Sequence, residues 1–207
     1  MKSELLIVPC DSSARAVAAL MLQGAGGAAI ELNGEPDELD RLLAAASAPT
    51  LAVLIGSAPA RLGDVHRTLE DRYLAHLTIE IDERAVWVGP AVVPDRPGCQ
   101  HCWQARRRQH ADALSAALGD HAANPVRGAG EIILSAKAGL AVARRVLRAR
   151  DDEAGVVRRF STERTAPTAH RVIAVSGCTR CDRKPRRPPG WSLHPESQPA
   201  RQTQSAR

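Results

Sequence analysis

Residues 96–103 read Arg-Pro-Gly-Cys-Gln-His-Cys-Trp and contain a Cys-x-x-Cys pair, Cys99 and Cys102. A second pair at the same spacing, Cys178 and Cys181, stands much later in the chain. Two thiolates at this spacing can share one tetrahedral ion, and two such pairs complete a shell of four sulfurs. The sequence therefore predicts a structural zinc ion, bound by these four cysteines.

The long interval between the two pairs indicates that the metal joins segments of a larger fold. A shell closed by four sulfurs leaves no position for water or substrate, so it favours a structural role over metal catalysis. Two alternatives remain open, a redox dithiol and a pair of disulfides. A single redox pair needs no second pair, and disulfides need an oxidising compartment that nothing in the sequence indicates.

Length and charge predict one folded domain, residues 1–182, followed by a disordered tail, residues 183–207. The chain has 207 residues, of which 44% are hydrophobic, enough for one core of ordinary size. Its net charge is +5, and the proline-rich tail carries six Arg or Lys against one acid, Glu196. The body is therefore close to neutral, which argues against a nucleic-acid-binding protein.

The first residues show no secretory signal peptide, and no apolar run approaches the length needed to span a membrane. We therefore expect a cytoplasmic protein without a membrane partner, in which four thiols stay reduced and available to metal. Aromatic residues make up only 2% of the chain, which disfavours a stacking platform for bases or sugars.

Short apolar runs alternate with helical patterns, which predicts an α/β fold with a parallel, Rossmann-like sheet flanked by helices. The predicted strands cover residues 5–8, 28–32, 51–55, 77–81, 85–88, 156–162 and 171–175. The predicted helices cover residues 14–22, 36–46, 61–73, 103–118 and 131–150.

The first strand-helix turn, residues 8–13, is where such a sheet would hold the phosphates of a nucleotide. It contains no glycine and presents the carboxylate of Asp11, so we expect no nucleotide site there. Asp11, Ser12 or Ser13 is instead expected to cap the helix. Cys10 lies in the same turn and is interpreted as a buried cysteine outside the metal set.

Two later helices carry possible contact surfaces. Arg106, Arg107 and Arg108 could meet an acidic peptide or phosphate, but a solvated face is the favoured interpretation. The helix at residues 131–150 has an apolar stripe from Ile132 to Leu147. This stripe must be buried either against the sheet or in a homodimer.

The segment from Val88 to Cys102, Val-Gly-Pro-Ala-Val-Val-Pro-Asp-Arg-Pro-Gly-Cys-Gln-His-Cys, resembles a family. With the late Cys178/Cys181 pair, it is similar to the ThiF-like, E1-like partner proteins of YcaO-domain cyclodehydratases. Those proteins serve in the maturation of azole-containing ribosomal peptides such as bacteriocins. The resemblance extends more loosely over residues 1 to about 182.

The resemblance implies a non-catalytic scaffold that holds one structural zinc and presents a precursor peptide to the YcaO enzyme. It implies zinc ligation by Cys99, Cys102, Cys178 and Cys181, and no catalytic residue. The sequence departs from the family in lacking an N-terminal winged-helix module, so leader recognition is expected to lie elsewhere. The alternative is an ATP-dependent adenylating enzyme of the ThiF class, which would need the missing phosphate-binding loop.

Overall fold

The computed structural model describes seven stretches of the chain: residues 5–25, 29–31, 51–56, 59–81, 85–118, 128–161 and 166–181. The predicted helix at residues 36–46 and the predicted tail at 183–207 lie outside the described residues.

Seven strands and five helices make up the described fold. The strands are β1 (Leu5–Pro9), β2 (Ala29–Glu31), β3 (Leu51–Gly56), β4 (His76–Ile81), β5 (Val86–Val92), β6 (Val156–Phe160) and β7 (Thr168–Arg171). The helices are α1 (Arg15–Ala25), α2 (Pro59–Asp71), α3 (Gln100–Leu118), α4 (Ala129–Arg148) and α5 (Arg150–Glu153), with a 3-10 turn at Ser12–Ala14.

The strands form one sheet in the order β2-β1-β3-β4-β5-β6-β7. The first four are parallel to one another, as the alternation of strands and helices predicted. Strand β1 lies between β2 and β3. The chain first adds β2 on one side of β1 and then crosses over to add β3 on the other side. This places a topological switch point at the carboxyl ends of β1 and β3.

The prediction of an all-parallel sheet is wrong for the second half of the chain. Strands β5, β6 and β7 each run antiparallel to the preceding neighbour, so the sheet is mixed. The physical reason is clearest between β4 and β5, which are separated by residues 82–85 alone. A parallel crossover needs a dozen or more residues, whereas a short turn permits only an antiparallel pair.

One face of the sheet carries the larger apolar core, covered by α1 and α4. Alternate residues of the central strands point into it, among them Ile7, Val53 and Ile79, all fully buried.

The face of α4 that packs against this core is made of small residues, among them Ala136, Val142 and Ala143. The larger members of the predicted stripe lie at its margin: Ile132 and Leu147 are half-buried and Ile133 is 44% exposed. Of the described residues, no helix combines the length and apolar character needed to cross a membrane.

The opposite face is covered by α2 and α3 and is more polar. Leu6, Leu54 and Leu69 form a smaller apolar cluster under α2. Further along this face, the alternate residues of β4 that point toward α2 and α3 are His76, Thr78 and Glu80, and all three are buried. The face therefore combines a modest core with buried polar groups that need partners.

Glycine sets how closely α4 approaches the sheet. A Cβ atom at Gly139 would lie 2.1 Å from Cδ1 of Ile79. We expect Gly139→Ala to lower the free energy of unfolding by roughly 1–3 kcal/mol through overpacking. The matched control is Gly130→Ala in the same helix, where no atom lies within 4 Å of the added Cβ. Urea unfolding midpoints of the two variants check this, and equal midpoints would contradict it.

Glu153 at the end of α5 has a buried carboxylate that joins α4 to β6 through two ion pairs, with exposed Arg145 and with mostly buried Arg158. Its carboxylate accepts hydrogen bonds from Arg145 Nε at 3.0 Å and from Arg158 Nη1 at 2.5 Å. Burial by itself raises the pKa of Glu153, but the hydrogen bonds from Arg158 and Arg145 outweigh it. The net effect is a pKa below the ordinary carboxyl value of 4.5.

A carboxylate with a lowered pKa stabilises the fold above its ordinary pKa and loses this contribution as the pH falls through the folded value. We therefore expect Glu153→Gln to cost about 2 kcal/mol at neutral pH, with a difference from wild type that shrinks as the pH falls below 4.5. Urea unfolding across the acid range measures it. Asp151→Asn, which breaks the exposed pair with Arg96, is the control and should cost less than about 1 kcal/mol.

Candidate metal centre

Two separate turns bring the four predicted ligands together. Cys99 directly precedes α3 and Cys102 lies in its first turn, whereas Cys178 and Cys181 lie in the turn after β7. The members of each facing pair are 79 residues apart in sequence. The meeting of the two turns is therefore a tertiary contact that neither segment can form by itself.

The sulfur atoms lie close enough to share one ion. The Sγ atoms of Cys99 and Cys102 are 3.6 Å apart, those of Cys99 and Cys178 3.7 Å, and those of Cys102 and Cys181 3.5 Å. All four lie within 4.8 Å of one another. A tetrahedral ion with bonds of about 2.3 Å to sulfur would hold its ligands about 3.8 Å apart, so the geometry is compatible with a metal ion.

All five cysteines are free thiols, so the structure contains no disulfide. The sulfur separations exceed a disulfide bond of about 2.05 Å by more than an ångström. Cys10 lies in the first turn of the fold, where its Sγ faces the Val8 carbonyl oxygen at 3.6 Å. It takes no part in the four-sulfur cluster, as the sequence predicted.

The surroundings of the sulfurs shift their pKa values in different directions. Burial raises the pKa of Cys99 above its ordinary range and raises that of Cys102 to about 11. Burial acts upward on Cys178 also, but backbone hydrogen bonds from Cys181 and Arg180 outweigh it and lower its pKa. The backbone N–H of Val175 donates to Cys102 Sγ at 3.3 Å. A bound cation would favour the thiolate form of all four groups.

Two glycines let the segment before Cys99 approach the start of β6 closely. Gly98, at φ +96°, precedes Cys99, and a Cβ atom there would lie 2.8 Å from the Cα of Gly155. Gly155, at φ +68°, receives the N–H of Val172 on its carbonyl at 2.8 Å. The two backbones thus touch directly, which brings the segment before Cys99 against the start of β6 and the end of β7.

An apolar shell and one ion pair surround the cluster. Val92, Val157 and Val172 pack against the cysteines and exclude water from most of the site. Arg180, between the two late cysteines, forms a salt bridge with Glu70 of α2. The late turn is therefore held both by its sulfurs and by a charge pair to the helix layer.

Two buried histidines lie beside this charge pair, and no spacing in the sequence indicated them. The rings of His66 and His76 are 4.9 Å apart, and His66 Nε2 is 3.1 Å from the hydroxyl of Thr78. Burial lowers the pKa of His76 to about 4, with a smaller effect from the charge of Arg180, and lowers that of His66 as well. Both are therefore neutral at physiological pH.

Arg107 is not the solvated side chain that the sequence predicted. It forms a salt bridge with Glu80, and its guanidinium carbon lies 5.5 Å from the ring centre of Trp87 and 5.6 Å from that of Trp103. Arg159 lies over Trp87 from β6 at 5.5 Å. Cation–π contacts thus tie α3 to the antiparallel strands. Arg108 is exposed, in agreement with the prediction.

The first strand-helix turn is closed by its own carboxylate. Asp11 caps the 3-10 turn, and its Oδ1 accepts hydrogen bonds from the Ala14 N–H at 2.9 Å and the Ser13 hydroxyl at 2.5 Å. Its Oδ2 would lie 3.2 Å from a Cβ atom on Gly56, at the end of β3. The side chain of Asp11 therefore lies at the switch point of the sheet and accepts the Ala14 N–H, a backbone donor that a phosphate there would otherwise use.

Comparison with solved structures shows which class of fold this is. The chain aligns with the heterocyclase TruD over 87% of its length, at 16% identity and a TM-score of 0.61. It aligns with a heterocyclase solved in complex with substrate and cofactor over 86%, at 15% identity and a TM-score of 0.62. The shared feature is the α/β fold.

The same fold occurs in MccB of E. coli, solved with the peptide MccA, at 11% identity, 87% coverage and a TM-score of 0.58. The chain spans 27% of the TruD chain and 66% of that MccB chain. No family model matches the sequence, and a search of curated proteins finds no relative.

The cluster predicts one divalent metal ion per chain. Freshly reduced protein should carry one zinc by native mass spectrometry, because the four sulfurs complete a single tetrahedral shell. Cys178→Ser or Cys102→Ser should lower the metal content at least tenfold under mild chelation. Cys10→Ser should retain it, since that thiol lies outside the cluster. Metal-free wild-type protein with a native unfolding midpoint would contradict the assignment.

Proposed function

We propose that this chain is a zinc-stabilised, non-catalytic E1-like partner protein in the maturation of a ribosomal peptide natural product. It binds a precursor peptide and presents it to a YcaO-type cyclodehydratase in the reducing cytoplasm. The zinc ligands are Cys99, Cys102, Cys178 and Cys181, and the functional body is the domain of residues 1–182. The observation that carries the proposal is the four-sulfur cluster on this α/β frame.

The proposed metal role is structural. Four buried or half-buried sulfurs fill a tetrahedral shell, so a zinc ion held there has no open position for water. The zinc joins the start of α3 to the turn after β7, and Arg180 extends the same link to α2. Removal of the metal is therefore expected to loosen the antiparallel half of the sheet, where partner proteins would meet the chain.

The absence of ATP chemistry is supported by the first turn. Catalysis on a nucleotide would need free N–H groups and a glycine-lined approach at the switch point. Asp11 supplies a fixed negative charge there and accepts the Ala14 N–H itself. Anionic phosphates would be repelled by this carboxylate.

The peptide role is supported by the solved structures that share this fold. Among the solved structures that share it are a heterocyclase with its substrate, MccB with MccA, and MccB with N-formylated MccA. A second candidate function, ATP-dependent adenylation of a carrier or peptide terminus, is favoured by the structure of MccB with ATP. The carboxylate of Asp11 argues for the scaffold over this alternative.

The test is co-purification of zinc-loaded protein with a YcaO-domain enzyme and a short precursor peptide from the same genome. We expect the wild type to capture both, Cys178→Ser to lose them with its metal, and Cys10→Ser to behave as wild type. Zinc-loaded wild-type protein that captures neither would overturn the proposal.

Nucleotide binding separates the two candidate functions. We expect no heat of binding when ATP and magnesium are titrated into the wild type, and no exchange of pyrophosphate into ATP in the presence of the peptide. Measurable exchange, lost on Cys178→Ser and retained on Cys10→Ser, would replace the scaffold with the adenylating enzyme.

A further inference from the structure

The sheet ends at β7, and the outer side of this strand is open. Strand β7 is the last in the strand order and pairs with β6 alone. Its residues Ala169, His170 and Arg171 are exposed, and Ile173 just beyond it is 72% exposed. No described residue covers this edge.

The hydrogen-bond pattern fixes which backbone groups point outward. Val172 donates its N–H to the Gly155 carbonyl at 2.8 Å, and the β6–β7 register, continued by one residue, places these two opposite each other at a hydrogen-bonded position. Such pairs alternate along an antiparallel ladder. His170 therefore bonds inward to β6, whereas Ala169 and Arg171 direct their N–H and C=O groups away from the sheet.

Arg171 is the charged side chain of β7, and from Ala166 to Cys181 the chain contains no Asp or Glu. The two arginines of the neighbouring strand β6 are already engaged, Arg158 with Glu153 and Arg159 over Trp87. The Arg171 guanidinium donates to the carbonyls of Ala154 at 2.6 Å and Asp152 at 2.8 Å. A fixed arginine beside free backbone groups favours an acidic extended segment.

We propose that β7 is a docking edge to which an acidic, extended peptide adds as an eighth strand. The inference rests on the proposed function, in which the occupant is a segment of the precursor peptide. Its backbone would bond to the N–H and C=O groups of Ala169 and Arg171, an acidic side chain would meet Arg171, and an apolar side chain would cover Ile173.

A second copy of this chain fits the edge less well. Two β7 strands would join only four residues each and would bring the Arg171 side chains of both copies onto the same short ladder. A stable protein interface buries about 1,600 Å², far more than this contact offers. A peptide avoids the like-charge contact and supplies the opposite charge.

The test uses fluorescein-labelled peptides of about eight residues, one alternating Glu and Val and one alternating Lys and Val. Fluorescence anisotropy should show at least tenfold tighter binding of the acidic peptide, weakened by salt. Ala169→Pro removes one outward N–H and leaves the inner ladder intact, and it should weaken binding at least tenfold. Ala169→Val keeps the N–H and is the matched control.

The fold of each variant is checked by its unfolding midpoint and by exchange protection of the His170 amide. Equal affinity of well-folded Ala169→Pro and wild type for the acidic peptide would overturn the inference, as would equal affinity of wild type for the acidic and the basic peptide. The precursor peptide separates the two proposals. If wild type and Ala169→Pro capture the precursor peptide equally, the docking edge is refuted and the proposed function stands. If wild type captures neither peptide nor enzyme, the proposed function itself is refuted.

Discussion

The contact between sulfurs of Cys99 and Cys102 and those of Cys178 and Cys181 closes the antiparallel half of this fold. The first pair begins α3, the second follows β7, and between them the chain forms α4, α5 and β6. Closing so long a loop has an entropic cost, which one ion held by four ligands can offset. The close packing of Gly98 on Gly155 depends on the same meeting, because it sets the path of the chain into Cys99.

The two halves of the sheet have different chemical characters. The parallel half keeps the switch point of a nucleotide-binding fold but fills it with Asp11, whose carboxylate already accepts the local N–H group. The antiparallel half carries the four sulfurs, the Trp87–Trp103 contact and the open edge of β7. The sulfur cluster, the tryptophan contact and the open edge thus lie in the half of the sheet that does not contain the switch point.

Buried polar groups gather on the face under α2 and α3, and their arrangement follows from strand alternation. Leu77 and Ile79 of β4 face the apolar core, so His76, Thr78 and Glu80 must face the other side. Each finds a partner there: His76 bonds to the Leu74 carbonyl, Thr78 to His66 and Glu80 to Arg107. Several of these partners come from α2 and α3, so the polar contacts tie those helices to the sheet.

The four clustered cysteines, the parallel strands and the carboxylate in the first strand-helix turn could be predicted from the sequence, because spacing, period and capping chemistry are local properties. The antiparallel pairing of β5 to β7 and the position of β7, three residues earlier than predicted, depend on which strand each segment meets. The contacts of Arg107, His66 and Arg180 join residues from distant elements, and a pattern of neighbours in sequence does not encode them. Local chemistry therefore determined the ligands and the elements, whereas packing decided the mixed sheet, the buried ion pairs and the edge left open.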